Sequence, residues 1–323
     1  MDATAPQPDD SAVTYGGSLP GGEGRAAFAM HRFERRAIPV LISVPHAGRD
    51  YPADLTARLR FPADTKPRLE DRFVDIVAQE VSAQTQAPLI VATAPRAMID
   101  LNRSSDDVDW AMVASGSRRS GAGGVGGGVG GRLAAGRRAR SGLGLVPRRL
   151  PGIGELWNQR LRIGDLRCRI EQVHGPYHAA IRQQLERLRD RWGAALLLDI
   201  HSMPPLPDDE DAGPGAQFVL GDRFGGSCDA GLAALTLRQI ANDGYRIAHN
   251  RPYAGGYVLD RHGAPARGIS AMQLEVCRAT YLDPALDRIG DGVPAIAACI
   301  AGLVARLAER VAQGPSAFAV AAE

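Results

Sequence analysis

The sequence predicts a single-domain α/β protein with a mixed, mostly parallel sheet flanked by helices. Three observations support this fold class. The chain has 323 residues, 45% of them hydrophobic, which suffices for one large domain with a substantial core. Apolar, β-branched segments alternate with amphipathic segments over about 250 residues, as in proteins with parallel sheets. No internal repeat or change of composition divides this body in two.

The chain begins with an acidic, Pro/Gly-rich stretch and then enters its first strand. Residues 1–25 lack the apolar core of a secretory signal, so we expect a flexible arm. Residues 37–48 form an apolar run that ends in a Pro-His pair, which is typical of a buried strand opening into a loop. Residues 67–84 carry apolar side chains at helical spacing and predict an amphipathic helix.

The remaining elements alternate in the same way up to a closing helix. In chain order they are strand 87–95, a helical stretch at 154–192, strands 194–202 and 216–222, helix 228–243, strands 245–250 and 268–277, and helix 292–312. Gly175 and Pro176 are expected to break the helical stretch at 154–192, because both residues disfavour helix interiors. No segment has the ~18–20 consecutive apolar residues that a membrane-spanning helix needs.

The formal net charge of +2 conceals an uneven distribution. Residues 110–154 hold eight arginines and no acidic residue, which leaves a net charge of −6 on the rest of the chain. Within this region, the Gly/Arg-rich segment at 116–144 contains 12 of the 38 glycines, and ordering it would cost too much entropy. We expect a flexible loop insertion. Nucleic-acid binding is the less favoured alternative, because interleaved aromatic residues and true RGG repeats are missing.

The cysteines indicate a reducing compartment. Cys168, Cys228, Cys277 and Cys299 are far apart in sequence and form no C-x-x-C pair. This spacing gives no support to a thiolate zinc site or a redox motif. In a chain of this size the four residues are typical of reduced core positions in a cytoplasmic protein.

Chemically active side chains stand at the ends of three predicted buried strands. His46 follows the first strand, Asp199 and His201 end the second, and Glu275 ends the third. Sites in open α/β sheets form beyond the carboxyl ends of strands, so these groups are expected to converge. Asp199 and His201 are two residues apart and face the same side of a strand, which lets His201 bind a ligand while Asp199 orients it.

These residues predict a catalytic zinc site, because two histidines and a carboxylate with an open fourth position are its usual ligand set. His46 and His201 supply the imidazoles, and Asp71 is the preferred carboxylate. Glu275 is expected to act as general base, since an unpaired carboxylate is costly inside an apolar strand. The plain alternatives are structural histidines and, for Asp71, a helix-dipole contact. Three other acids stay open as the ligand: Asp50, Glu70 and Asp75.

Four further histidines are interpreted as structural or exposed. His174 and His178 are four residues apart on a helical stretch, but the expected break between them favours a structural or outer-sphere role over a metal pair. His31 and His262 are expected at the surface.

Two segments predict substrate contacts. In PRAMIDLNR, guanidinium and amide groups are arranged as a clamp for a carboxylate, although ion pairs with nearby aspartates are the plain alternative. HNRPYAGGY places aromatic residues beside two glycines, which lets the backbone approach a ligand closely but equally fits an ordinary turn. The candidate residues are Arg96, Asp100, Asn102 and Arg103 in the first segment, and Asn250, Tyr253 and Tyr257 in the second.

An ordered set of motifs resembles the N-formylglutamate amidohydrolase family, which is related to the zinc carboxypeptidases and the aspartoacylase-like deacylases. The motifs are, in order, SVPHAGRDYP, EDRFVDIV, PRAMIDLNR, GLGLVPRR, LLLDIHSMP, HNRPYAGGY and MQLEVCR. They run from about residue 38 to about residue 285 and so cover most of the chain. Each motif is weakly diagnostic alone, but their succession is specific.

The resemblance implies a phosphorylase/hydrolase-like α/β fold with one zinc ion. It matches His46 and His201 to the metal-binding histidines, and the acid of LEDRFVD most naturally to Asp71. The carboxypeptidase relatives place their acidic ligand three residues after the first histidine, where this chain has Arg49. The acidic ligand must therefore come from another position here.

The same resemblance implies roles for the remaining residues. Glu275 in MQLE corresponds to the catalytic glutamate, and Asn102–Arg103 correspond to the substrate clamp. Arg96 is expected to contact the substrate or the transition state.

Together, residues and resemblance predict a zinc-dependent hydrolase of N-acyl amino acids. N-formyl-L-glutamate is the leading substrate, and the reaction is expected in cytoplasmic amino-acid degradation. A zinc peptidase or amidase acting on a peptide or cell-wall fragment is the alternative. No membrane partner is expected.

Overall fold

The computed structural model describes residues 11–33, 37–114, 137–208 and 213–314. Within these ranges the strands are β1 (Ser11–Gly16), β2 (Phe28–Phe33), β3 (Val40–Val44), β4 (Leu89–Ala92), β5 (Arg149–Leu150), β6 (Gly154–Glu155), β7 (Ala195–Met203), β8 (Phe218–Gly221), β9 (Ile247–His249) and β10 (Ile269–Cys277). The helices are α1 (Ala53–Ala57), α2 (Pro62–Leu69), α3 (Val74–Thr85), α4 (Arg137–Arg140), α5 (Ile163–Arg169), α6 (Gly175–Trp192), α7 (Ala230–Asn242), α8 (Tyr257–His262) and α9 (Val293–Ala312). Among the helices described, none has the length and apolar character needed to cross a membrane.

One eight-stranded sheet organises the protein, with the strand order β1-β2-β4-β3-β7-β10-β8-β9. Its centre is parallel, since β4, β3, β7 and β10 pair side by side in the same direction. Towards the edges, β1 pairs with β2, β2 with β4 and β8 with β10 in antiparallel fashion, while β8 and β9 are parallel. The predicted class, a mixed and mostly parallel sheet flanked by helices in one domain, is confirmed.

Central strands β7 and β10 are buried over all nine of their residues, because their continuous apolar sequences are covered on both faces. On one face, Leu197 packs in a core that includes Tyr177 and Ile181 of α6. On the other, Leu196 packs in a core that includes residues of α3 and α9, among them Val304. The helical layers on both sides keep water from the sheet and hold the carboxyl ends of β3, β7 and β10 at one edge.

The flexible arm predicted for residues 1–25 is wrong from Ser11 onwards, and residues 1–10 lie outside the described ranges. Ser11–Gly16 form edge strand β1, which is antiparallel to β2. The segment after β1 is anchored by a hydrogen bond from the Ser18 amide to the carbonyl of Gln172 (2.9 Å), and Leu19 is buried. Backbone pairing therefore orders a sequence whose composition favours disorder. Most of the Gly/Arg-rich segment also lies outside the described residues.

The helix predicted over 67–84 is two helices, α2 and α3, separated by a turn. The chain extends at Glu70, and Phe73 takes a positive φ of 55°. The Asp71 amide donates a hydrogen bond to the carbonyl of His46 (2.9 Å), which ties this turn to the end of β3. Leu69 and Val74 are buried on either side of the turn, so the apolar spacing continues across it.

The helical stretch predicted over 154–192 begins only at Ile163, because Gly154 and Glu155 pair with β5. The break expected at Gly175-Pro176 is absent from this described segment. One π-helical turn, Ile170–His174, leads directly into α6, and Gly175 has helical dihedral angles. Such a wide turn changes the hydrogen-bond pattern where proline lacks an amide proton.

Candidate functional site

A cavity of about 200 Å³ opens at the carboxyl ends of the central strands. His46 lies just after β3, while His201 on β7 and Glu275 on β10 are paired by the register of these two strands. The turn after α2 adds Asp71, and the segment from Tyr253 to Gly256 adds another wall. The predicted convergence of strand-end residues is therefore what the fold produces.

The three residues preferred as metal ligands lie together and are buried. Oδ2 of Asp71 is 3.0 Å from Nδ1 of His201 and 3.6 Å from Nδ1 of His46. One ligand atom from each residue lies within 4.8 Å of the other two. Two imidazole nitrogens and a carboxylate oxygen facing one point fit a divalent ion such as zinc, with room for a fourth ligand.

The competing acids are engaged elsewhere. Arg49 forms two hydrogen bonds with the carboxylate of Asp75, at 2.8 and 2.7 Å. Glu70 pairs with Arg72 at 3.3 Å. The third acid, Asp50, pairs with the guanidinium group of Arg25. These contacts leave Asp71 as the acid directed at the two histidines.

Each histidine is held from behind by a second buried carboxylate. Nε2 of His46 lies 2.7 Å from Oδ1 of Asp100, and Nε2 of His201 lies 2.8 Å from Oδ2 of Asp199. The Ser43 hydroxyl donates a hydrogen bond to Asp199. Donation from Nε2–H to these carboxylates leaves Nδ1 free to bind a cation and fixes the plane of each ring. Asp199 thus lies next to the histidine that it was predicted to orient. Asp100 lies in the same position relative to His46, and the sequence reasoning did not assign it that place.

The site favours a bound cation electrostatically. Burial alone would raise the pKa of Asp71, but its hydrogen bonds with His201 and His46 hold that pKa well below the usual range. Burial likewise opposes ionisation of Asp100, but the charge of Arg96 lowers its pKa well below the usual range. Burial raises the pKa of Glu275 to about 7, and Asp71 adds to this shift while His201 and Arg96 counteract it.

Glu275 lines the cavity and is held by a neighbour on its own strand. Its Oε1 accepts a hydrogen bond from Nε2 of Gln273 (2.8 Å). This contact leaves Oε2 available towards the cavity beside His201. A carboxyl group with a pKa near neutral can both accept and return a proton at physiological pH.

The predicted clamp residues Arg96, Asn102 and Arg103 all line the cavity. Nε of Arg96 donates to Asp100 (2.8 Å), so this arginine is fixed by the carboxylate that orients His46. Arg103 donates to the carbonyls of Leu143 (3.0 Å) and Asn102 (2.6 Å). Arg96 therefore forms an ion pair with Asp100, and Nε of Arg103 lies 4.0 Å from the same carboxylate.

Asn102 is held from both sides. Its Oδ1 accepts the amide of Val258 (2.9 Å), and its Nδ2 donates to Oε1 of Gln273 (3.3 Å). A Cβ added to Gly256 would lie 2.5 Å from Oδ1 of Asn102, so the glycine lets the backbone pack against this side chain, whereas the approach predicted for the glycine pair was to a ligand.

Asn250 and Tyr257 are not among the described residues that line the cavity. Asn250 occupies a turn with φ of 59°, and its side chain exchanges hydrogen bonds with Asp222, at 2.7 and 3.0 Å. Tyr257 stacks on His174 with ring centroids 5.7 Å apart. Tyr253 of the same segment does line the cavity.

A second group of buried histidines, the His174–His178–His262 cluster, lies behind the clamp. His262 is buried rather than exposed as predicted, and its Nε2 is 3.0 Å from Nδ1 of His178. Nε2 of His174 donates to the carbonyl of Arg103 (2.9 Å), which gives this residue the predicted structural role. His31 is half-buried in β2.

Sequence reasoning also missed two cavity arginines, Arg68 and Arg278. Arg278 directly follows the MQLEVC motif, and its position after a site-bearing strand was an available indication. It donates to the Ser202 hydroxyl (3.0 Å), to the carbonyl of Pro67 in α2 and to that of Glu70, which precedes Asp71. Arg68 ends α2, and nothing in its local sequence marks it.

Comparisons with known proteins identify relatives of this chain. A model of the N-formylglutamate amidohydrolase family matches residues 38–282. Proteins called N-formylglutamate deformylase from Pseudomonas aeruginosa and Pseudomonas putida are 33% and 32% identical over 271 and 265 residues, which cover 78% of this chain and 85% and 84% of theirs. The crystal structure of N-formylglutamate amidohydrolase from Ralstonia eutropha JMP134 is 31% identical with a TM-score of 0.76 and covers 89% of this chain and 99% of that one. An Agrobacterium tumefaciens protein, 17% identical with a TM-score of 0.60, shares the fold.

Proposed function

The chain belongs to the N-formylglutamate amidohydrolase family, and we propose that it hydrolyses N-formyl-L-glutamate to formate and glutamate with a bound zinc ion. The observation that carries this proposal is the meeting of three groups in one cavity: the His46/Asp71/His201 set, Glu275 and the Asn102–Arg103 pair. We expect the reaction in the cytoplasm, where unpaired cysteines stay reduced.

His46, Asp71 and His201 would hold the zinc ion, and Asp100 and Asp199 would keep the two imidazoles in place. When bound, zinc acts as a Lewis acid that makes the formyl carbon more electrophilic and lowers the pKa of water. The buried ligands exclude bulk water from this part of the cavity, which strengthens every electrostatic interaction within it.

Glu275 is proposed to move the proton. Its carboxylate accepts a proton from the attacking water as the new C–O bond forms, and the protonated carboxyl then delivers it to the amide nitrogen as the C–N bond breaks. The pKa that burial raises to about 7 suits both steps, because neither protonation state is strongly favoured near neutrality. Gln273 keeps the carboxyl group oriented.

The arginines and Asn102 are proposed to bind and orient the substrate. Arg96 would stabilise negative charge on the formyl oxygen, and its pairing with Asp100 fixes its direction. Asn102 and Arg103 would hold the α-carboxylate through charge-assisted hydrogen bonds. Their own contacts with Val258 and Leu143 fix both side chains before substrate arrives, which lowers the entropic cost of binding.

The Glu275→Gln variant tests the proposed proton transfer. It should hydrolyse N-formyl-L-glutamate roughly 10²–10⁴ times more slowly, because the amide cannot accept the proton, while zinc content is unchanged. Released glutamate and zinc per chain are the measurements. Glu80→Gln, in a residue of α3 that is not part of the cavity wall, is the matched control. Near-normal turnover by Glu275→Gln would rule out this residue as the base.

The choice of substrates tested can distinguish the proposed reaction from hydrolysis of a peptide or a cell-wall fragment. A cavity of about 200 Å³ favours a free amino-acid derivative over a peptide or a cell-wall fragment. A panel of N-formyl and N-acetyl amino acids and short peptides, scored by released amine, distinguishes these classes. Nucleic-acid binding by the Gly/Arg-rich segment stays a separate prediction, tested by RNA retention after deletion of residues 116–144.

A further inference from the structure

Four guanidinium groups line the cavity wall. Three of them have a carboxylate of the protein nearby: Arg96 and Arg103 lie 2.8 and 4.0 Å from Asp100, and Arg278 lies 3.7 Å from Asp71. If the proposed function is correct, the Asn102–Arg103 clamp accounts for one carboxylate, and a partner for a second carboxylate is still to be identified.

Three of the four arginines are held by contacts inside the protein. Arg96 pairs with the buried carboxylate of Asp100, and Arg103 is bonded to two backbone carbonyls. Arg278 uses all three guanidinium nitrogens, on the Ser202 hydroxyl, on the carbonyl of Pro67 in α2 and on that of Glu70 just after α2. Arg278 therefore supports the segment that presents Asp71, and its donors have little left for a ligand.

Arg68 differs from these three. It is exposed at the end of α2, three residues before Asp71, and lines the cavity. Within the described ranges it makes one hydrogen bond, from Nη1 to the carbonyl of Pro151 (3.0 Å). A guanidinium group has five N–H donors in a planar fork, so most of its donors remain for a ligand.

We propose that Arg68 binds the side-chain carboxylate of the substrate and so selects N-formyl derivatives of acidic amino acids. This inference rests on the proposed function and assigns a specificity residue within it. A guanidinium fork binds a carboxylate with two parallel, charge-assisted hydrogen bonds, whereas a side-chain amide offers one acceptor and no charge. The side-chain carboxylate takes no part in the bond changes of the hydrolysis, so Arg68 is expected to bind substrate and transition state alike.

The test compares N-formyl-L-glutamate with N-formyl-L-glutamine, which has nearly the same shape but no side-chain charge. The wild-type protein should prefer the glutamate derivative in kcat/KM by roughly tenfold to a hundredfold. Arg68→Gln should lose most of this preference through a higher KM for the glutamate derivative, with kcat changed little. Arg68→Lys should retain part of it, since charge remains and the fork is lost.

Arg60→Gln is the matched control, because Arg60 also reaches a backbone carbonyl of the same region, that of Trp157 (2.6 Å), but does not line the cavity. It should keep the wild-type preference. An unchanged preference in Arg68→Gln would overturn the inference while the deformylase activity stands. Failure of the proposed function looks different: no N-formyl amino acid would release formate with the wild-type protein, and the inference would then fall with it.

Discussion

Two groups of buried histidines lie close to each other in this protein and differ in their surroundings. His46 and His201 contact each other edge to face, with ring centroids 4.8 Å apart, and carboxylates lie on both sides of each ring. In the His174–His178–His262 cluster the rings are 4.4 and 5.2 Å apart, and the hydrogen-bond partners include another histidine and backbone carbonyls. Burial is similar in both groups, so the neighbours decide the charge.

The difference appears in the pKa values. Burial opposes protonation of His201, but Asp199 and Asp71 outweigh it and raise its pKa well above the ordinary value. Burial lowers the pKa of His178 well below the ordinary value, and it lowers that of His262 to about 3, with help from Arg261 and Arg182. The first pair is built to face a positive charge. The second cluster is built to stay neutral and to support the clamp.

The largest effect is expected from removing the carboxylate of Asp71, which lies beside both His46 and His201. Asp71→Asn should weaken zinc binding by more than the roughly 10- to 100-fold loss that follows removal of an outer partner, because a charged ligand is lost. Hydrolysis of N-formyl-L-glutamate should fall with zinc occupancy. Zinc per chain by elemental analysis, together with competition against a chelator, gives the affinity.

Asp75→Asn serves as the control for this prediction. Asp75 is an acid four residues further on and nearly as buried, but its carboxylate faces Arg49 rather than the histidines. Its zinc affinity should equal that of the wild-type protein. If Asp71→Asn keeps full zinc occupancy while Asp75→Asn loses it, the acidic ligand has been misassigned.

The sequence could predict the parts of this site that local patterns encode. Strands β7 and β10 are mostly apolar and carry their charged residues towards their carboxyl ends, so the burial and position of His201 and Glu275 follow from the sequence pattern. Asp71 could be preferred from its place in the helical segment after the first strand and from the motif it shares with the family, although neither excluded Asp50, Glu70 and Asp75. Its actual place, in a turn tied to the His46 carbonyl, depends on a contact that no helical periodicity reveals.

The remaining features depend on contacts between distant positions. His46 meets Asp100 across 54 residues, and His178 meets His262 across 84. Neither partner has a local pattern that distinguishes it from a surface residue, which explains why His262 was expected to be exposed. Arg68 also lacks a local pattern of this kind. It reaches the cavity because α2 ends next to it, which the neighbouring sequence does not reveal.

The neutral character of the second cluster predicts a pH dependence of stability. Because the pKa of His262 is about 3 in the folded protein and near 6.5 when unfolded, the unfolded state binds more protons between these values. Stability is therefore lost as pH falls below about 6.5. For this residue the loss between pH 7 and pH 5 amounts to about 2 kcal/mol. The free energy of unfolding, measured in denaturant at both pH values, checks it.

His262→Gln removes this titration, so its unfolding free energy should fall less between pH 7 and pH 5 than that of the wild-type protein. Comparing the two proteins cancels the contribution of the carboxylates around the first pair, which also weaken the fold in acid. Between pH 7.5 and pH 8.5 the two curves should run parallel, since His262 is neutral in both states there. Equal slopes below pH 6.5 would show that His262 is not held neutral.

The smallest effect expected concerns the contact that joins the second cluster to the clamp, from Nε2 of His174 to the carbonyl of Arg103. Replacing His174 by Phe keeps an aromatic ring beside Tyr257 but removes the donor. A hydrogen bond of this kind contributes about 0.5–1.5 kcal/mol, so KM for N-formyl-L-glutamate should rise roughly 2- to 13-fold as Arg103 loses its fixed position. Zinc content should not change, because His174 does not touch the ligands of the first pair. Loss of zinc with an unchanged KM would mean that the cluster supports the metal site and not the clamp.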